Sequence, residues 1–113
     1  MRTAQIDSKD WQEKFNQISK KLDNRNINIE VNGLDIGHQV EATSVHLKGL
    51  TYDPRDNIIG IASDNFEHAI SSPKKIFFTS ADGNVESIES IEITDSKDRK
   101  QIITFEAALL LSH

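Results

Sequence analysis

The apolar residues of this 113-residue chain change period once, near Asn24. Before that point Trp11, Phe15, Ile18 and Leu22 follow one another at spacings of four, three and four, a single stripe on an α-helix. After it, Ile27, Ile29 and Val31 alternate with Asn28, Glu30 and Asn32, the two-residue period of a half-buried strand. One amphipathic helix followed only by strand-period text joined by short loops leaves few architectures. The helix stripe must be buried on an antiparallel sheet, and a sheet in this size range curls or closes.

The helix carries its own end signals. Asp7 is placed as N-cap, with Ile6 and Trp11 at the two positions of a hydrophobic staple. Asp10 and Glu13 lie near the positive end of the dipole and Lys20 and Lys21 near the negative end. Asp23-Asn24 suits a stop, since Asn tolerates a left-handed cap. The expected helix covers about residues 8–23, with strands from about 27 onward.

"QVEATSVHLKGL" continues the strand period, but its phase slips by one at Thr43-Ser44, which predicts a bulge or bend. "YDPRDN" reads as a turn and "NIIGIAS" as a strand in which Gly60 marks a close approach. In "FEHAI", Phe66, His68 and Ile70 share a side; "SSP" breaks the pattern, and "KKIFFTS" resumes it. "ADGN" supplies a hairpin-type turn. "VESIESIEIT" carries both periods, and the alternation of Ile91 and Ile93 favours a strand. "DSKDRK" turns the chain into "QIITFEAALLL", a last strand with an apolar tail. The expected fold is α+β: one N-terminal amphipathic helix on a strongly bent antiparallel sheet or small β-barrel of about six strands, on an SH3/Sm-like plan. Residues 1–113 read as a single domain.

Composition narrows the function. A formal net charge of −5 opposes the phosphate contacts that nucleic acid requires. The chain has no cysteine, which removes thiolate metal sites and thiol nucleophiles and accords with a reducing compartment. No apolar run reaches the roughly 18 residues of a membrane span, and MRTAQIDSKD has no apolar signal core. The cytoplasm is the expected location. No motif calls for a cofactor or a metal, and there is no Gly-x-Ser-x-Gly elbow.

Two places carry titratable groups in suggestive company. In "VNGLDIGHQVEA", Asp35 and His38 could be an acid–base pair on a loop flexed by Gly33 and Gly37. The simpler reading is a strand connection whose glycines meet conformational needs, and it is preferred because no metal-ligand or phosphate-loop spacing accompanies the pair. His68 shares a face with Phe66 and Ile70, so it points inward. There it is either satisfied by a carbonyl or carboxylate or forms a ligand or pH-responsive site with Asp53 and Tyr52. His46 alternates with Val45 and Leu47 and is expected to face solvent.

"WQEKFNQIS", "INIEVNGLDIGHQVEA", "LKGLTYDPRDNIIGIA" and "HAISSPKKIFF" together resemble a family of small bacterial proteins known only as a domain of unknown function. In that family a Trp-containing helix precedes a V-x-V-x-G-x-(D/E)-I-G-x-Q-V-E-A strand pair, matched here by Trp11 and by Val31 through Ala42. The resemblance implies a fold and no chemistry. "GLTYDPRDNIIGIA" also looks like the first Sm motif, with Asp53 and Asn57 at its spacing, but the second, basic Sm motif has no match. The expectation is therefore a non-catalytic protein-interaction or regulatory module. The apolar "AALLL" is its motive, since such a patch seeks a partner or a second copy. The alternatives are an Sm-like RNA-binding barrel and a small ligand- or metal-binding protein or enzyme using His68.

Overall fold

A computed structural model describes residues 2–22, 25–64 and 66–106, the side chain of Glu86 excepted. Asp7 caps as expected, but its carboxylate accepts the Lys9 N–H at 3.2 Å and opens a 3-10 turn, Ser8–Asp10. The α-helix proper, α1 (Trp11–Leu22), begins after that turn, so it starts at the first residue of the apolar stripe and three residues later than an N-cap at Asp7 suggested. All four stripe residues are buried. The Trp11 indole N–H donates to the Ile6 carbonyl at 3.0 Å, which adds a hydrogen bond to the staple. The predicted stop at Asp23-Asn24 lies outside the described residues.

The strands are β1 (Arg2–Gln5), β2 (Asn26–Gly33), β3 (Gly37–Asp53), β4 (Ile58–Ser63), β5 (Glu67–Ser71), β6 (Pro73–Ser80), β7 (Ile88–Asp95) and β8 (Lys100–Phe105). They form one antiparallel sheet in the order β1-β6-β7-β8-β2-β3-β4-β5. There are eight strands, not about six, and the sheet is open, with β1 and β5 at its edges. The strand with no counterpart among the stretches read from the sequence is β1, which precedes the helix and so also displaces the expected start of strand structure. All four of its residues are exposed and it is held by main-chain pairing to β6, so no apolar period marks it. The ambiguous stretch resolves into a 3-10 turn, Val85–Ser87, and β7.

β3 explains the curl. Its 17 residues pair with β2 from Gly37 to His46 and with β4 from Leu47 to Asp53. The phase slip is real: Ile27 faces Val45 and Ile29 faces Ala42, so β3 carries an extra residue there, and Ser44 has φ 50°. The Asn28 side chain accepts the stranded Ser44 N–H at 2.8 Å. A second extra residue, Glu41, separates Ala42 from Val40, which faces Glu30. Such bulges increase twist and bend a strand.

The inner face meets the helix. Ile29, Ile61, Ile76, Ile91 and Ile103 are all at or below 2% exposure, beside Phe15, whose ring stacks on Phe78 at 6.2 Å. Each such buried side chain stabilises the fold by roughly 1.5–3 kcal/mol relative to exposure. At the place where β3 leaves β2, α1 takes over the vacated edge: the Ser19 hydroxyl bonds both main-chain groups of Leu50. No helix among the described residues is long and apolar enough to cross a membrane.

Candidate functional site

Three places bring chemistry together, and they differ in how far their groups are already engaged. The first is His68. Alternation on β5 turns it inward as expected, and its Nε2 donates to the Gln101 amide oxygen at 2.8 Å. The Gln101 amide nitrogen donates to Asp95 Oδ2 at 3.1 Å, and Asp95 Oδ1 accepts the main-chain N–H groups of Lys97 and Arg99. Gln101 and Asp95 are each 7% exposed. This chain ties edge strand β5 to β8, with three strands between them in the sheet order, so the sheet has curled back on itself. Its bonds fit a strut at the end of the core, since a buried amide and carboxylate must be paired.

Tyr52 and Asp53 lie elsewhere. Register sets Leu50, Ile61 and His68 in one cross-strand row and Asp53, Ile58 and Ser71 in another, three residues further along. That is about 10 Å along the strands and two strands across. The Tyr52 hydroxyl donates to Asn57 Oδ1 at 2.7 Å, and its ring meets Trp11 edge-on at 5.2 Å. Asp53 accepts the Arg55 N–H at 2.9 Å, and Asn57 has φ 54°. The Asp-x-x-x-Asn spacing thus does the work of a turn. Gly60 is a close approach: an added Cβ would lie 3.1 Å from the Thr51 hydroxyl. Among the described residues no three acidic or histidine side chains could hold a metal.

The second place is the β2–β3 hairpin. "VNGLDIGHQVEA" is a strand connection, and Gly37 takes φ 68° at its return. Asp35 is not idle there: the Arg99 guanidinium, from the β7–β8 turn, donates to it from Nε and, at 2.6 Å, from a terminal nitrogen. This pair holds the Asp35 carboxyl below the usual carboxylate range and Arg99 above its own. Gly33 sits under the contact, where a Cβ would lie 2.8 Å from Asp35 Oδ1 and 2.9 Å from Arg99 Cγ. His38 bonds Glu30 across the strands. The large hydrophobic residues that stand exposed among the described residues, Leu34 and Val40 (58%), are both on this hairpin.

The third place is the outer face of the sheet. One cross-strand row reads Phe77, Glu92, Ile102, Glu30, Val40. The next reads Thr3, Thr79, Ser90, Thr104, Asn28. Phe77 and Ile102 are only half-buried, and with Thr3, Thr79, Ser90 and Glu92 they line a shallow depression. No described element covers this face. Gln101 and Asp95 went unnoticed in the sequence, although each falls in the buried phase of its strand, with Ile103 and Phe105 or with Ile91 and Ile93.

Residues 2–112 match a family described as "Family of unknown function (DUF5335)". The chain belongs to that family. A protein of Aquifex aeolicus (strain VF5), named only "Uncharacterized protein", is 33% identical to it over 112 residues, 98% of each chain. No solved structure matches the chain. The family match spans the helix, the hairpin and every strand, and its description names no activity, so function rests on these surfaces.

Proposed function

We propose that this member of the family is a non-catalytic protein-interaction or regulatory module of the cytoplasm, working through its hairpin and the outer face of its sheet. The carrying observation is the uncovered row in which Phe77, Ile102 and Val40 are interleaved with Glu92 and Glu30. A stripe of apolar side chains divided by carboxylates suits reversible binding: each apolar group gains by leaving water, and each carboxylate selects the partner's charge. The other large candidates are already occupied. His68 is bonded within the core end, and Asp53 and Asn57 serve their turn, which removes support from an enzyme site and from Sm-like RNA binding. The apolar tail that first suggested a partner lies in 107–113, outside the described residues.

A photo-crosslinking amino acid tests the proposal. Placed at Ile102 or Val40 in cells that make the protein, it should give one protein adduct of defined mass. The same group at Gln12, on the exposed side of α1, should give none. Equal labelling at all three positions, or no adduct at any, contradicts the proposal.

A further inference from the structure

We infer that the outer edge of β3 between Gly37 and Thr43 is a strand-acceptor site for an extended peptide carrying a lysine or arginine opposite Glu41 and an apolar side chain beside Val40. This inference rests on the interaction reading and specifies its mode and the partner's chemistry.

The two halves of β3 are treated differently. Each is paired on one side only, because β2 serves residues up to His46 and β4 serves those from Leu47. In the second half the vacated edge is covered by α1, whose Ser19 satisfies both main-chain groups of Leu50. In the first half no described strand or helix occupies the vacated edge. An antiparallel strand directs alternate N–H and C=O pairs to each side, so this edge presents a row of outward donors and acceptors. The row ends at Ser44, where the bulge with φ 50° breaks the alternation and turns the N–H back toward Asn28 of β2. Seven residues remain, about 23 Å, a usual length for a paired strand.

The side chains fit the same reading. Residues 37–41 are all exposed, and the stretch contains neither proline nor lysine; the one edge-blunting device in it is the bulge at Glu41, which sets that carboxylate apart from its neighbours. Its one formal charge, Glu41, has no ion pair among the described residues. A second copy of the same edge offers that carboxylate no lysine or arginine, so a foreign cationic strand suits it better. The Asp35–Arg99 contact fixes the hairpin before binding, which lowers the ordering cost of adding a strand.

The test uses the isotopically labelled full chain and the peptide acetyl-Thr-Thr-Val-Lys-Val-Thr-Thr-amide, followed by amide chemical shifts and exchange. The inference expects shifts centred on residues 38–43 and slowed exchange of their outward amides. Replacing the peptide's lysine by glutamate, or making Glu41→Gln in the protein, should weaken binding about tenfold. Of two peptides N-methylated at alternate amides, one should bind and the other should not. Shifts confined to Phe77, Glu92 and Ile102 overturn the edge inference while leaving the interaction reading in place. No shift up to about 1 mM peptide overturns it as well, and the crosslinking result then decides the broader reading separately. A peptide-free dimer with residues 38–43 protected assigns the edge to a second copy. Protection that vanishes on deleting 107–113 assigns it to the chain's own tail. Either result overturns the inference.

Discussion

The Ser19 hydroxyl accepts the main-chain N–H of Leu50 at 2.7 Å and donates to its carbonyl at 2.5 Å, so one helix side chain stands in for a missing strand. This contact marks where β3 passes from one partner to the next, and it couples the amphipathic helix to the bend in the sheet. Ser19→Ala leaves two partly buried main-chain groups without a protein partner. The expected cost is about 1–3 kcal/mol, or a melting temperature lower by roughly 4 °C per kcal/mol. Ser19→Thr keeps the hydroxyl and should recover most of the loss in a thermal melt. Equal losses for the two variants would contradict the role given to the hydroxyl.

Ile102 and Ile103 are neighbours in β8 with opposite fates. Ile103 is 1% exposed on the core side, whereas Ile102 is half-buried on the outer face. Denaturant unfolding should give about 2–5 kcal/mol of destabilisation for Ile103→Ala and roughly 1 kcal/mol or less for Ile102→Ala. Ile102→Ala should nevertheless reduce capture of the crosslinked partner. Similar losses of stability would mean that the outer face is covered after all.

The link from His68 through Gln101 to Asp95 predicts a coupled response. Gln101→Met preserves volume but strands the buried Asp95 Oδ2, at about 1–3 kcal/mol. In a double-mutant cycle with His68→Ala, the coupling should be about 0.5–3 kcal/mol, because the second change no longer breaks a bond. Additive losses would deny the strut.

The hairpin contact predicts a pH dependence. Asp35 is held below its ordinary range chiefly by its hydrogen bond from Arg99. A carboxylate lowered in the folded state contributes fully above its unfolded value, near pH 3.9, and loses that contribution as pH falls through the lower folded value. Asp82, bonded by Ser87, and Asp98, bonded by Lys74, act with the same sign. Asp35→Asn should therefore melt below wild type above about pH 5, and the two should converge toward about pH 2. Since the pair is exposed, about 1 M salt should shrink the difference. A gap that widens in acid would contradict the sign.

Much of this fold was readable because burial leaves a period in the text. The Trp11-to-Leu22 stripe, the slip at Thr43-Ser44 and the turn glycine at residue 37 each reflect a local steric or packing demand, and each stands where the sequence placed it. What escaped was carried by main-chain bonding or by distance. β1 is held through its backbone, the passage of β3 from β2 to β4 depends on a serine 31 residues away, and Asp35 finds Arg99 across 64 residues. The strut was half visible, since Asp95 and Gln101 interrupt buried phases with polar groups that must find partners. His68 was placed inward correctly, but its partner came from β8 and not from the neighbourhood of Tyr52 and Asp53.

Amide hydrogen exchange along β3, read residue by residue in the full chain without ligand, probes the divided strand most directly. The expected pattern is protection of Leu50 close to the global unfolding limit and rapid exchange of alternate amides between His38 and Thr43. Uniform protection from Gly37 to Asp53 would show that the edge is already paired, and the division of β3 into a covered and an open half would be wrong.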